Sequence, residues 1–200
     1  MAVTPEMVRQ LRDRTGAGVM DCKRALAETE GDIDRAATLL RVQGIAKADA
    51  RQARTAAEGR IAAYIHGPGK VGVLVEVNCE TDFVARTPEF QAFVKDIAMQ
   101  VAAEDPKYLS RDQVPEPVLK QEREIYRAQA LAEGKPEKVV DKIVEGRLGK
   151  FYQAVCLLDQ SFVRDDQKTV EELRREVAAQ VGEHVVIRRF VRFQLGEESR

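Results

Sequence analysis

Residues 71–90 have the sequence VGVLVEVNCETDFVARTPEF, and this stretch decides the fold of the chain. Valine occupies every second position from 71 to 77. This spacing predicts a β-strand, because successive side chains of a strand point to opposite faces. Thr87, Pro88 and Glu89 then supply a capping hydroxyl, a first-turn proline and an acidic first turn, which together predict the start of a helix. Residues 78–86 therefore connect a strand to a helix.

Asp82 and Phe83 lie in or beside that connection, and two interpretations of them are open. Phe83 can pack into the local core while Asp82 accepts hydrogen bonds from nearby amides, since most connection residues serve their own fold. Alternatively, Phe83 projects as a wedge into a partner protein, because exposed aromatic side chains on a rigid scaffold are frequent anchors of interfaces.

A second motif stands near the N-terminus, where residues 11–26 have the sequence LRDRTGAGVMDCKRAL. This motif and NCETDFVAR at 78–86 closely resemble bacterial elongation factor Ts, in the order and at about the separation found in that family. The sequence GEHVVIRRF at 182–190 resembles the family's strand after its last core helix. The resemblance covers essentially the whole chain. It is to the short form of the family, with one core unit in place of two related halves.

The resemblance implies a guanine-nucleotide exchange factor in translation elongation. Such a factor binds elongation factor Tu·GDP, disturbs its magnesium and phosphate site, promotes GDP release and allows GTP to rebind. It performs no chemistry, so neither enzymatic activity nor a cofactor is expected. The family's Thr-Asp-Phe-Val segment carries over to Thr81, Asp82, Phe83 and Val84. Phe83 would be the wedge, and Asp82 would disturb the charges around the magnesium ion.

The N-terminal motif places Arg12, Val19, Met20 and Lys23 around the glycine turn at 16–18. Composition leaves two interpretations open, a solvated helix end or a docking patch with an adaptable methionine at its centre. The elongation factor Ts family binds the nucleotide-binding domain of the GTPase partly through this module. The resemblance therefore favours docking.

Periodicity predicts an α+β protein in three parts. Residues 1–45 are expected to form a three-helix docking module similar to the ubiquitin-associated type, with the third helix ending at Gly44. Residues 46–59 are alanine-rich and polar, which predicts an exposed linker helix. Residues 60–200 are expected to form the core and dimerisation domain, in which a small antiparallel sheet packs with helices and a helical hairpin.

The expected last strand, at 185–195, combines arginine with aromatic residues. It can be an RNA-binding strand or a strand packed on both faces against the protein or a second subunit. The net charge of −1 favours packing, because nucleic-acid binding normally needs a basic excess. A short form of the family is expected to be a homodimer with this strand at its two-fold interface. The expected interface residues are Val185, Ile187, Phe190, Val191 and Phe193.

Composition also limits the partners and the location. No apolar run approaches the ~20 residues needed to cross a bilayer, and residues 1–6 lack a secretory signal pattern. The three cysteines are far apart and odd in number, which is typical of reduced thiols. We therefore expect a cytoplasmic protein with no membrane partner and no direct nucleic-acid partner.

Other site types find little support in the motifs. Histidine and cysteine do not occur at metal-ligand spacing, so no metal is expected. Cys79 and His66 could form a nucleophile pair, but a lone thiol beside a strand is more often a small core residue. The glycine clusters at 16–18 and 67–70 do not match nucleotide-binding loops.

Three rival functions remain: a ubiquitin-like-binding adaptor built on the three-helix module, an RNA-binding regulator, and a small-molecule enzyme. The adaptor leaves the Asp82–Phe83 segment without a role. The regulator predicts RNA affinity that falls steeply with added salt. The enzyme is the weakest hypothesis, because no polar set at recognisable spacing marks a reaction centre.

Overall fold

The computed structural model describes residues 3–197, apart from the side chains of residues 45, 47 and 49. The described part contains eight α-helices and two small sheets, which confirms the predicted α+β class. The helices are α1 (Pro5–Thr15), α2 (Val19–Glu28), α3 (Ile33–Ala50), α4 (Asp82–Ala85), α5 (Pro88–Glu104), α6 (Glu116–Ala132), α7 (Glu137–Val155) and α8 (Val170–Val181). The strands are β1 (Glu58–His66), β2 (Val71–Cys79), β3 (Ser161–Phe162), β4 (Asp165–Thr169) and β5 (Val186–Gln194).

Contacts divide the chain into two compact units that interleave along the sequence. The first unit comprises Met1–Arg60, Val77–Val94 and Glu172–Arg188. The second comprises Ile61–Glu76, Lys95–Glu171 and Arg189–Arg200. The division into domains at 1–45, 46–59 and 60–200 stays a prediction.

The first unit begins with three helices, and local capping groups fix several of their ends. Thr4 caps α1, because its hydroxyl accepts a hydrogen bond from the amide of Met7 at 3.3 Å. Gly16 ends that helix in the left-handed conformation. Asp32 caps α3 by accepting a hydrogen bond from the amide of Arg35 at 2.9 Å. The fully buried core residues of the three helices are Leu11, Cys22, Ala25, Leu26 and Ala36.

Helix α3 does not end at Gly44, and the predicted linker helix at 46–59 is not observed. The helix continues to Ala50, and residues 51–57 form turns and coil. A Cβ atom placed on Gly44 would lie 3.1 Å from the Cβ of Ala179 in α8. The absence of a side chain at this glycine therefore allows two helices to approach closely, and it does not terminate either of them.

The larger sheet has the strand order β1-β2-β5, and β1 and β2 form a hairpin within it. At the hairpin turn, the amide of Gly69 donates to the carbonyl of His66 at 3.2 Å. Strand β2 shows the alternation that the valine spacing predicts. Its buried valines are Val73, Val75 and Val77. One face of this strand therefore belongs to the core.

The second unit contains the predicted helical hairpin, formed by α6 and α7. Its buried residues include Leu119, Ala130, Val140, Val144 and Leu148. Arg127 pairs with Asp141 at 2.5 Å, and Arg147 pairs with Glu133 at 2.7 Å, across the two helices. Such exposed ion pairs each contribute at most about 1 kcal/mol. The apolar seam therefore holds the hairpin together.

Periodicity does not predict the smaller sheet of the second unit, in which β3 and β4 pair antiparallel. Gln100, a fully buried residue of α5, anchors this sheet. Its amide oxygen accepts from the amide of Val163 at 2.8 Å, and its amide nitrogen donates to the carbonyl of Ser161 at 3.1 Å. A buried polar side chain thus satisfies backbone groups that a third strand would otherwise pair.

Candidate functional site

The segment between β2 and α5 contains the one-turn helix α4, and a threonine hydroxyl binds each end of it. At its start, the hydroxyl of Thr81 accepts from the amide of Val84 at 3.4 Å. After its end, the hydroxyl of Thr87 donates to the carbonyl of Val84 at 2.9 Å and accepts from the amide of Phe90 at 3.3 Å. These bonds confirm the predicted cap of α5 and fix both ends of α4.

Phe83 lies on the outward side of α4 and is 78% exposed, whereas Val84 and Ala85 beside it are buried. Asp82 forms an exposed ion pair with Arg86, with 2.7 Å between the carboxylate oxygen and the guanidinium nitrogen. The buried residues anchor the short helix, so a fixed backbone holds the ring in solvent. Packing of Phe83 into the local core is therefore not observed.

The N-terminal motif forms the turn between α1 and α2. The hydroxyl of Thr15 donates to the carbonyl of Leu11 at 2.7 Å and accepts from the amide of Ala17 at 3.3 Å. The buried thiol of Cys22 donates to the carbonyl of Ala17 at 3.6 Å. Side chains of both helices thus fix the shape of this turn.

The four predicted docking residues lie on the surface of α1 and α2. Met20 is 74% exposed in the first turn of α2, and Val19 beside it is 50% exposed. Arg12, in the last turn of α1, and Lys23 are exposed as well. Exposed apolar side chains beside cations have the composition of an interface centre with a polar rim.

The second unit exposes apolar side chains on all three strands of the larger sheet. We call these residues, together with Leu195 directly after β5, the exposed sheet surface: Ile61, Ile65, Leu74, Val191, Phe193 and Leu195. Phe193 is 67% exposed. Val191 and Phe193 flank Arg192, whose guanidinium donates to the carbonyl of Ala102 in α5 at 3.4 Å. Because neighbouring side chains of a strand point to opposite faces, both apolar residues face away from that helix.

The structure separates the predicted interface residues of β5 by burial. The exposed residues are Val191 and Phe193, the partly buried one is Phe190, and the buried ones are Val185 and Ile187. The prediction took the strand to be packed on both faces, but residues 188 and 189 are both exposed, so the alternation of buried and exposed residues breaks there. Val185 and Ile187 serve the protein's own core, which corrects their predicted place at an interface.

The three cysteines are free and buried. Burial raises the pKa of Cys79 to about 11, and the nearby charge of Glu183 acts in the same direction. A nucleophilic thiol needs a lowered pKa, so the structure does not support a Cys79–His66 nucleophile pair. Among residues 3–197, no cluster of histidine, cysteine, aspartate or glutamate is placed to hold a metal ion.

The chain matches the family model of elongation factor Ts over residues 41–197. Elongation factor Ts of Caldanaerobacter subterraneus subsp. tengcongensis is 58% identical to it over 195 residues, which cover 98% of both proteins. The chain belongs to the elongation factor Ts family. Elongation factor Ts of a Thermoanaerobacter species is also 58% identical, over 98% of this chain and 96% of the relative. The protein of Syntrophomonas wolfei is 57% identical, over 98% and 91% respectively.

Membership of the elongation factor Ts family confirms the resemblance and makes the chain a translation elongation factor. The family model includes residues 81–84, whereas the docking motif at 12–23 lies before the matched range. The matches to the elongation factor Ts relatives cover 195 residues, 98% of the chain, and so extend over residues 12–23. In the part of the chain that the structure describes, no helix is long and apolar enough to cross a membrane.

A cavity of about 660 Å³ lies in the first unit, between the α1–α2 turn, α3 and α8. Its charged lining residues include two ion pairs, Arg14 with Asp34 at 2.6 Å and Arg41 with Glu176 at 3.7 Å. Part of the motif at 11–26, including the glycine turn at 16–18, lines this cavity. The four predicted docking residues and residues 81–84 do not line it.

Sequence reasoning missed the side chains that hold the elongation factor Ts segment 81–84 in place. The carboxylate of Glu183 accepts hydrogen bonds from the backbone amides of Glu80 and Thr81. In turn, the carboxylate of Glu80 accepts a hydrogen bond from the backbone amide of His184. No periodicity or motif spacing relates two residues 103 positions apart. The one signal in the sequence is that each glutamate stands where a predicted element ends.

Proposed function

We propose that this chain is a guanine-nucleotide exchange factor for elongation factor Tu. It binds the GTPase in its GDP form, disturbs the magnesium and phosphate site, and releases GDP so that GTP can bind. The supporting observation is the exposure of Phe83 on a helix that is fixed at both ends, in a member of the elongation factor Ts family. The factor acts in the cytoplasm, catalyses no reaction of its own and holds no cofactor.

Exchange of this kind requires coupling between two binding events. The exchange factor must bind the nucleotide-free GTPase more tightly than the GDP-bound GTPase. The ratio of these two affinities equals the ratio by which the exchange factor lowers the affinity of the GTPase for GDP. Each tenfold loss of GDP affinity needs about 1.4 kcal/mol of coupling free energy. A 10⁴-fold loss needs roughly 5.5 kcal/mol. Exchange therefore needs contacts that form only with the open GTPase.

Phe83 supplies the largest such contact. Burial of a phenylalanine side chain in a partner contributes about 1.5–3 kcal/mol. If the receiving pocket opens only when the groups around the magnesium ion move apart, this free energy stabilises the open state alone. The ligands of magnesium must stay in near-octahedral geometry, so a small displacement weakens GDP binding.

The other residues of the 81–84 segment have different roles. Asp82 is partly exposed and carries the charge that disturbs the magnesium region. Thr81 caps α4, and Val84 is buried beneath it. We propose that Thr81 and Val84 act on the partner through the position that they give to Phe83 and Asp82.

The most direct test of the function is the release of a fluorescent GDP analogue from purified elongation factor Tu. We expect the unaltered chain to accelerate release in proportion to its concentration until the rate saturates. Release that stays at its spontaneous rate with excess chain would contradict the proposal. Recovery of ubiquitin-like proteins in place of the GTPase in a pull-down would favour the adaptor.

Replacement of Met20 or Lys23 by alanine is expected to weaken docking. An interface anchor of this kind contributes more than about 1 kcal/mol, so the concentration of chain that gives half-maximal release should rise roughly tenfold. The maximal release rate should stay nearly unchanged, because docking precedes the opening of the GTPase. Titration of the release rate against chain concentration separates the two quantities.

Matched controls for the docking variants are Leu131→Ala and Lys138→Ala on the helical hairpin. Leu131 is an exposed apolar residue like Met20, and Lys138 is an exposed cation like Lys23. Neither control should change the half-maximal concentration. Unchanged affinity of Met20→Ala and Lys23→Ala would reject the docking role.

We propose further that a second copy of the chain covers the exposed sheet surface, so that the factor is a homodimer. Exposed apolar side chains on three adjacent strands form the kind of patch that marks an interface. A two-fold axis would pair the patch with itself, which brings Val191 and Phe193 of β5 to the interface. An ion pair on the same strands, Glu76 with Arg189 at 2.7 Å, adds a polar group to this region.

Light scattering at micromolar concentration is expected to give twice the chain mass of 22.4 kDa. Phe193→Asp should convert the dimer to a monomer, because it would bury an unpaired carboxylate at the interface. Leu131→Asp, at an exposed apolar position of the helical hairpin, should leave the dimer intact. A monomeric mass for the unaltered chain would contradict the dimer.

A further inference from the structure

Two glutamates join the start of α4 to the end of α8. One carboxylate oxygen of Glu183 accepts from the amides of Glu80 and Thr81, both at 3.0 Å. Its other oxygen accepts from the hydroxyl of Thr81 at 2.6 Å. In the reverse direction, the carboxylate of Glu80 accepts from the amide of His184 at 2.7 Å. We call Glu80 and Glu183 the carboxylate clasp.

The clasp determines how Thr81 caps α4. The hydroxyl of Thr81 has one proton, and donating it to Glu183 leaves a lone pair free for the amide of Val84. A helix of one turn has no appreciable stability of its own, so its direction depends on these bonds. Glu183 therefore orients the capping group that sets the direction of Phe83.

Glu80 and the residue after Glu183 also contact Arg54, in the segment that follows α3. Arg54 contacts the carboxylate of Glu80 at 3.3 Å. The Nδ1 atom of His184 lies 2.8 Å from the carbonyl oxygen of Arg54. Because a carbonyl can only accept, Nδ1 carries the proton in this contact. The clasp thus connects the chain leaving the three N-terminal helices with the segment that carries Phe83.

Charge strengthens both halves of the clasp. The hydrogen bond from the His184 amide and the contact with Arg54 lower the pKa of Glu80, so this carboxylate stays ionised at neutral pH. Hydrogen bonds to ionised carboxylates are shorter and about twice as strong as neutral ones. The 2.6 Å separation between the Thr81 hydroxyl and Glu183 fits this class.

We propose that Glu183 is a positioning residue for exchange: it holds Phe83 in the direction required for entry into the GTPase, acting through the hydroxyl and amide of Thr81. This role rests on the proposed exchange function. Its physical content is pre-organisation, because a segment that is already ordered loses less conformational freedom on binding. Without the clasp, α4 samples several directions, and only a fraction of them present the ring correctly.

Glu183→Gln tests the role with little change in side-chain volume. The glutamine side chain has only one acceptor oxygen in place of two. It can therefore accept either from the amides of Glu80 and Thr81 or from the hydroxyl of Thr81, but not from both groups through separate oxygens. At saturating chain, the maximal rate of GDP release should fall about tenfold, the size expected for the loss of a charge-assisted hydrogen bond. The half-maximal concentration should change less than about twofold, because the docking residues on α1 and α2 are untouched.

Two further measurements distinguish positioning from general destabilisation. Amide hydrogen exchange of residues 80–87 should become faster in Glu183→Gln, while exchange in α6 and α7 stays unchanged. In a Phe83→Ala background, Glu183→Gln should have a much smaller further effect on the maximal rate, because the ring is gone and only the position of Asp82 remains to be disturbed. The control Glu133→Gln removes a carboxylate paired with Arg147 on the helical hairpin and should leave the release rate unaltered.

The possible outcomes separate this role from the exchange function. Acceleration of release by the unaltered chain, together with a full rate for Glu183→Gln, would overturn the positioning role alone. Equal effects of Glu183→Gln with and without Phe83 would also overturn it. No acceleration by the unaltered chain would overturn the exchange function, and the positioning role with it.

Discussion

Phe83→Ala is expected to slow the maximal rate of GDP release from elongation factor Tu by roughly 10- to 100-fold. The truncation removes about 1.5–3 kcal/mol of burial that stabilises only the open GTPase, and each 1.36 kcal/mol corresponds to about tenfold in rate. The side chain is 78% exposed, so its truncation removes little packing within the chain itself. The variant should therefore fold normally, and its half-maximal concentration should change little.

Stopped-flow release of fluorescent GDP at saturating chain measures this effect. Phe83→Leu provides an intermediate case, since leucine keeps much of the apolar area and should retain part of the rate. Leu131→Ala, which truncates another exposed apolar residue, serves as the control with an unaltered rate. Equal maximal rates for Phe83→Ala and the unaltered chain would remove the ring from the mechanism.

Among the substitutions proposed for this chain, Gly59→Ala is expected to lower the free energy of unfolding the most. Gly59 has a φ of 145°, and a Cβ atom placed on it would lie 2.2 Å from the carbonyl oxygen of Val77 and 2.6 Å from the Cα of Asn78. The strained conformation costs about 1–3 kcal/mol, and overpacking against backbone adds about 1–3 kcal/mol. Thermal unfolding should shift down by roughly 5–20 °C, which calorimetry or circular dichroism can measure.

The position of Gly59 links this loss of stability to the site. Its neighbours Val77 and Asn78 immediately precede the Cys79–Phe83 segment, and the side-chain amide of Asn78 donates to the carbonyl of Glu58 at 3.1 Å. Alanine at position 59 must push β1 away from β2 at residues 77 and 78, shortly before the segment that carries Phe83. A slower maximal release rate is therefore expected as well.

Gly146→Ala is the matched control for Gly59→Ala. This glycine lies inside α7, and no atom stands within 4 Å of a Cβ atom placed there. Alanine should stabilise the helix by up to about 1 kcal/mol. A Gly59→Ala variant as stable as the unaltered chain would show that the close approach of β1 and β2 can relax without cost.

The elements that the sequence predicts correctly depend on local signals. The valine alternation at 71–77 and the capping hydroxyl of Thr87 each depend only on residues a few positions away. Each is also confirmed in the structure. Local signals leave the exposure of Phe83 open, and only the resemblance to elongation factor Ts implies it; in the structure, the two buried residues of α4 leave the other side of that helix free.

The missed features depend on contacts between distant residues. The sequence predicts that Gly44 ends a helix. In the structure, the absence of a side chain at this glycine leaves room for the close approach of Ala179 in α8. The β3–β4 sheet depends on Gln100, some sixty positions away. Glu183 is an ordinary acidic residue until its three bonds to Glu80 and Thr81 are seen. Local propensity carries no information about such partners.

We propose that exchange depends on tighter binding of the nucleotide-free GTPase than of the GDP-bound GTPase, and that Phe83 supplies much of this difference. Measurement of both affinities, for the unaltered chain and for Phe83→Ala, tests this claim most directly. We expect a large ratio of affinities for the unaltered chain and a ratio reduced by roughly 10- to 100-fold for Phe83→Ala. Equal affinities for the two forms of the GTPase, or a ratio that Phe83→Ala leaves unchanged, would contradict the account.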